Sequence, residues 1–99
     1  MEMHLEKDGD RLCVQLEGRL DTTTAPELKA VLDKELEGIN KLVFDLEALE
    51  YMSSAGLAVF TKMIIVMKLR GSVLTVCNAN DRVVMGFKIV GMIKDIELK

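Results

Sequence analysis

The sequence is poor in the residues that most protein classes depend on. Aromatics make up 4% of the 99 residues, tryptophan is absent, and there is one histidine, one proline and two cysteines. So few aromatics leave little for stacking nucleic-acid bases. Basic excess is missing too: thirteen Lys and Arg face sixteen Asp and Glu, net −3, the wrong sign for displacing counterions from a phosphate backbone. No nucleic-acid partner is expected. Cys13 and Cys77 follow no metal-ligand or redox spacing; each lies in an apolar run and reads as a buried free thiol. No long apolar run exists. The best, Ala55 to Met67, is interrupted by Thr61 and Lys62 and falls short of the about 20 residues a bilayer requires. The polar, acidic start Met1-Glu2-Met3-His4-Leu5 does not resemble a secretory leader. No membrane insertion and a cytoplasmic location are therefore expected.

What is present fits one domain over 1–99. Hydrophobic residues are 49% and charged residues 29%, a balance against disorder. Arg11 to Glu17 alternates, Leu12, Val14 and Leu16 against Cys13, Gln15 and Glu17, which predicts a half-buried strand paired with Met3 to Glu6 across Asp8-Gly9-Asp10. Thr24-Ala25-Pro26-Glu27 predicts a helix start, with Thr24 as cap and Glu27 completing a capping box. Leu28, Val31, Leu32, Leu36 and Ile39 continue it at helical spacing. Lys41 to Leu46 reads as a central strand followed by a short loop. A second helix is expected from about Ser54 to Leu69, a buried strand at Ser72 to Cys77, a third helix starting in Asn78-Ala79-Asn80-Asp81 and stopping near Gly91, and a last strand at Lys94 to Leu98. The order β-β-α-β-α-β-α-β predicts an α/β fold. Its mixed, mostly parallel sheet has about five strands and three or more helices, with one sheet face incompletely covered.

Chemistry concentrates in Tyr51-Met52-Ser53-Ser54-Ala55-Gly56-Leu57, where a strand gives way to a helix. A serine there can cap the helix. It can equally accept a phosphate, since first-turn amides and the positive end of the helix dipole favour an added dianion. Enzyme classes fit poorly. Ser54 lacks the leading glycine of a nucleophile elbow, and His4, the one histidine, is expected on a solvent-facing strand position. No phosphate-cradling loop and no clustered metal ligands are visible, so no catalytic residues, no metal and no cofactor are expected.

Those residues resemble the STAS domain family, which includes bacterial anti-sigma factor antagonists. The family's Asp-Ser-Ser/Thr-Gly-Leu after a strand is similar to Ser53-Ser54-Ala55-Gly56-Leu57, and its Gly-x-Leu-Asp to Gly18-Arg19-Leu20-Asp21. Thr24-Ala25-Pro26-Glu27-Leu28 and Val76-Cys77-Asn78 extend the similarity over nearly the whole chain. The resemblance implies a binding switch. The unphosphorylated protein binds an anti-sigma factor that is also a serine kinase and frees the sigma factor; phosphorylation at Ser54 weakens the complex, and a phosphoserine phosphatase restores it. Ser53 stands where the family often has Asp and is a second candidate acceptor; Ala55 replaces a usual hydroxyl residue.

Asp21 either shapes a turn through side-chain-to-backbone bonds or, as the resemblance implies, lies beside the acceptor and the partner, with Thr22 and Thr23 rimming the same surface. The second helix carries two apolar stripes. It is either packed on both sides or offers a docking patch that includes Val59 and Met63 next to Ser53, Ser54, Ala55 and Gly56. The alternative function is a STAS-like scaffold in a transport or sensory complex without a phosphorylation switch.

Overall fold

The alternating segments form the first hairpin. In the computed structural model, which describes residues 1–99, β1 (Glu2–Asp8) and β2 (Arg11–Leu20) pair antiparallel, and Gly9 turns the chain between them at φ +61°. Strands and helices then alternate through α1 (Ala25–Glu35), β3 (Lys41–Met52), α2 (Ser54–Leu69), β4 (Leu74–Cys77), α3 (Asp81–Ile89) and β5 (Ile96–Leu98). The sheet order is β1-β2-β3-β4-β5, with β2 to β5 parallel. This is the element order and mixed sheet that the sequence predicts.

Each crossover steps to the next strand in the same direction. Right-handed crossovers that all step one way place every helix on the same face of the sheet. The burial pattern agrees: Leu12, Val14, Leu16, Leu42, Phe44, Leu46, Leu74 and Val76 are buried under the helices, while the intervening Cys13, Val43, Asp45, Thr75 and Cys77 are only half-buried. Both thiols therefore sit on the open face, and the expectation that they are buried is corrected. They fall on it because strand parity, not the hydrophobicity of their neighbours, decides which side they take. Three phenylalanines join the layers. Phe44 on the sheet meets Phe60 of α2 at 4.5 Å between ring centroids, and Phe60 meets Phe87 of α3 edge-on at 5.5 Å.

The strand β3 is six residues longer than Lys41 to Leu46, and the loop expected after Leu46 is instead strand. Its register against β2 explains the difference. Gln15 pairs with Asp45 but Glu17 with Ala48, and Gly18 pairs with Leu49 but Arg19 with Tyr51. Across Gln15 to Arg19, four steps of β2 oppose six of β3, so β3 carries two extra residues in bulges. Those bulges interrupt the period of two by which a strand is recognised: the buried positions run Leu42, Phe44, Leu46, then Leu49. They also deliver Met52 opposite Leu20, level with the end of β2, and so fix where α2 begins.

Candidate functional site

Parallel strands release their loops at one edge, and here β2 and β3 release Asp21 and Ser53 side by side. The Ser53 amide donates to the Leu20 carbonyl at 2.8 Å, tying the start of α2 to the end of β2 by backbone alone. Gly56 lies under this junction. A Cβ there would come within 2.8 Å of Leu20 Cγ and Cδ2 and 2.9 Å of Met52 Cγ, so only glycine lets the first turn of α2 approach the sheet this closely.

Asp21 organises the neighbouring loop. Its Oδ1 accepts from the Thr23 amide at 3.0 Å and the Thr24 amide at 3.2 Å, while Thr24 Oγ1 accepts from the Asp21 amide at 2.9 Å and donates to the Arg19 carbonyl at 3.0 Å. This is a reciprocal capping box, placed three residues before the one expected at Thr24 and Glu27. That expectation is corrected: Thr24 makes no side-chain bond to the first turn of α1, because its hydroxyl is committed to the Asp21 turn. The amides of Thr24 and then Thr23 hold the Asp21 carboxyl below the ordinary aspartate range. Asp21 is thus an ionised group with a fixed orientation, and Thr22 and Thr23 stand exposed beside it.

The two serines differ. Ser53 is the N-cap residue with extended backbone (φ −85°, ψ 176°), yet its side chain caps nothing, and its Oγ is buried without a hydrogen-bond partner. Asn80, by comparison, caps α3 by accepting from the Val83 amide at 2.9 Å. Ser54, the first residue of α2, is exposed. A macromolecule approaching this edge reaches the Ser54 hydroxyl and not that of Ser53. The first amides of α2 and its dipole lie directly beneath, where a dianion is favoured.

The docking patch expected on α2 is corrected in part. Met63 is 1% exposed and belongs to the core, and Gly56 is buried. Val59, 7% exposed, reaches the surface only as the floor of a groove against α1. The helix wraps its apolar residues over the sheet, so the stripe containing Met63 faces inward. Its outward ridge runs Ser54, Ala58, Thr61, Lys62, Ile65 and Leu69. Sequence reasoning missed Ala58, Ile65 and Leu69 because the helix is apolar nearly all round, which conceals its solvent side. It also missed Arg19, whose guanidinium stacks 4.4 Å over the Tyr51 ring across the β2–β3 pairing.

Elsewhere, Glu2, His4 and Glu17 bring one ligand atom each within 4.8 Å of one another on the open sheet face. All three are exposed, as polar residues on a solvated face ordinarily are, and Glu17 arrives from the paired strand, beyond the reach of any local spacing rule. No helix is long and apolar enough to cross a membrane.

The molecule is thus a five-stranded α/β domain whose helices share one face, with an exposed serine opening its central crossover helix. The STAS domain family model matches residues 2–99, and the chain belongs to that family. It is 35% identical over 96 residues to the anti-sigma-B factor antagonist of Listeria monocytogenes, covering 95% of this chain and 83% of that protein. Its fold is similar to that of an anti-sigma factor antagonist from Mycobacterium paratuberculosis (TM-score 0.86, 21% identity, covering 98% of this chain and 83% of that one). It is similar as well to the phosphorylated form of the Bacillus cell fate determinant SpoIIAA (TM-score 0.80, 15% identity, 99% and 91%).

Proposed function

We propose that this protein is an anti-sigma factor antagonist working in the cytoplasm. Unphosphorylated, it binds an anti-sigma factor and so frees the sigma factor for transcription. That partner is also a serine kinase. It transfers the γ-phosphoryl group of ATP to Ser54 Oγ: the hydroxyl gives up its proton to a base of the kinase, the new O–P bond forms at the serine, the bond from the γ-phosphorus to the β-phosphate oxygen breaks, and ADP leaves. A phosphoserine phosphatase hydrolyses the ester and resets the switch. The protein contributes surfaces and an acceptor hydroxyl, and is not itself the catalyst.

One observation carries the reading: of two adjacent serines, the one opening α2 is exposed beside the ordered Asp21 loop, and the other has its hydroxyl buried. The name of the Listeria relative supports the antagonist role. A phosphate on Ser54 sits where the helix terminus tolerates it, so the domain stays folded. An interface fitted to a neutral hydroxyl would instead have to desolvate two negative charges, which releases the partner.

The test is Ser54→Asp measured two ways. Calorimetric titration against the purified anti-sigma partner should show affinity reduced by about tenfold or more, while the melting temperature changes little, because an exposed first-turn carboxylate is favourable or neutral. Incubation with the kinase and ATP should place one phosphate on Ser54, absent from Ser54→Ala. Unchanged affinity for Ser54→Asp, or phosphate on Ser53 alone, refutes the switch.

A further inference from the structure

We propose that the groove between α1 and α2 seats an apolar segment of the anti-sigma partner bearing a carboxylate side chain, which docks against Lys62; this rests on the antagonist reading above. The groove is open to solvent, offers about 450 Å³, and is lined by small residues of both helices, Ala25 and Pro26 from α1 and Ala55 and Ala58 from α2, over a floor of Val59. It is continuous with the Ser54 edge, since Thr22 and Ala55 line it and also flank that edge. A segment held by the Asp21 and Ser54 loops therefore runs directly into it.

Charge selects the occupant. Lys29 and Lys62 both line the groove, one from each helix. Lys29 has a counter-ion, donating to Asp33 Oδ2 at 2.9 Å one turn along α1. Lys62 makes no ion pair of its own. The neighbouring Lys29 holds the Lys62 ammonium below the ordinary lysine range, an effect the Asp33 carboxylate opposes. Two cations lining one groove with one counter-ion leave a net positive spot on a chain of net charge −3. An incoming carboxylate relieves the repulsion; an incoming Lys or Arg adds to it. The apolar lining asks for Ala-, Val- or Leu-like neighbours around that acid.

The same arrangement gives phosphorylation a second lever. Ala58 follows Ser54 by one helical turn, so a phosphate on Ser54 stands at the mouth of the groove and repels an acidic occupant within it.

Titrating the purified anti-sigma partner into wild type and Lys62→Glu, Lys62→Gln and Lys62→Arg at low and high salt tests the assignment. Lys62 is exposed, and melting curves verify that each variant folds. Lys62→Glu should weaken binding about tenfold or more, Lys62→Gln about threefold, and Lys62→Arg less than about twofold, with wild-type affinity falling as salt rises and Lys62→Gln giving a shallower fall. Ala58→Leu, which fills the groove from an exposed position, should weaken binding without altering the salt dependence. If wild type binds but Lys62→Glu binds equally well, the groove assignment is overturned and the antagonist reading stands. Loss in Ala58→Leu with no effect of Lys62→Glu means a neutral occupant and overturns the charge argument. If wild type itself does not bind the partner, the antagonist reading falls and the groove assignment with it.

Discussion

Gly56→Ala tests how closely α2 is held to the sheet. In most helices this change is helpful, since alanine is favoured over glycine by about 1 kcal/mol in a helix interior. Here the new methyl would stand 2.8 Å from both Leu20 Cγ and Cδ2 and 2.9 Å from Met52 Cγ, distances no real Cβ keeps. Leu20 is fully buried, and its Cγ is a branch point, not a flexible end, so it cannot retreat. Met52 closes the other side. Overpacking of this kind costs ~1–3 kcal/mol, toward the upper end where two neighbours are pinned. Setting the helix gain against it leaves a net loss of about 1–2 kcal/mol, which lowers the melting temperature of a 60–100-residue domain by roughly 5–15 °C. Urea and thermal denaturation of the purified variant read the effect, and a Leu20→Val, Gly56→Ala double mutant should recover part of it. A Gly56→Ala protein as stable as wild type would refute the close-contact argument.

Gly86→Ala should behave oppositely. It is also a helical glycine, but its added Cβ meets only Leu57 side-chain carbons at 3.7 and 3.9 Å, an ordinary contact, so α3 should gain about 0.5–1 kcal/mol by the same denaturation assays. Asp21→Asn should expose the charge component of the loop. The folded-state pKa of Asp21 is depressed, so its contribution is complete above the unfolded value of about 3.9 and lost as pH falls through the folded one. The difference in melting temperature between wild type and Asp21→Asn should be flat from pH 5 upward and shrink below about pH 4; a difference that grew on acidification would refute the assignment.

Legibility in the sequence followed periodicity. Helix α2 was readable to its end residues because Ser53-Ser54 opens it and Arg70-Gly71 closes it, whereas the start of α3 was legible only to within Asn78-Ala79-Asn80-Asp81, a run that offers more than one capping side chain. Strand β3 was not, because two bulges shift its buried positions from Phe44 and Leu46 to Leu49, and a bulge is set by the partner strand rather than by local residues. The capping box lies one turn before the position its spacing suggests for a related reason. Thr24 and Glu27 have the right spacing, but Asp21 competes for the Thr24 hydroxyl and wins through two amide bonds of its own. At the site, residue types and their common edge were readable. The exposures of Ser53 and Ser54 were not, since adjacent serines are distinguished only by which one the first turn rotates outward.

That rotation also bears on why a switch at Ser54 need not disturb the scaffold. The position of α2 is set by groups that phosphorylation does not touch: the Ser53 amide on the Leu20 carbonyl, the two extra residues of β3, and the contact of Gly56 with Leu20 and Met52. Neither serine side chain supports the helix, as Ser53 forms no cap and Ser54 points outward. A modification at Ser54 therefore alters the charge of the edge while the backbone beneath keeps its geometry. Changes at Gly56 or Leu20 act the other way, moving the edge itself. The two kinds of variant should separate in measurement, with Ser54 substitutions changing affinity at nearly constant stability and Gly56 substitutions changing both together.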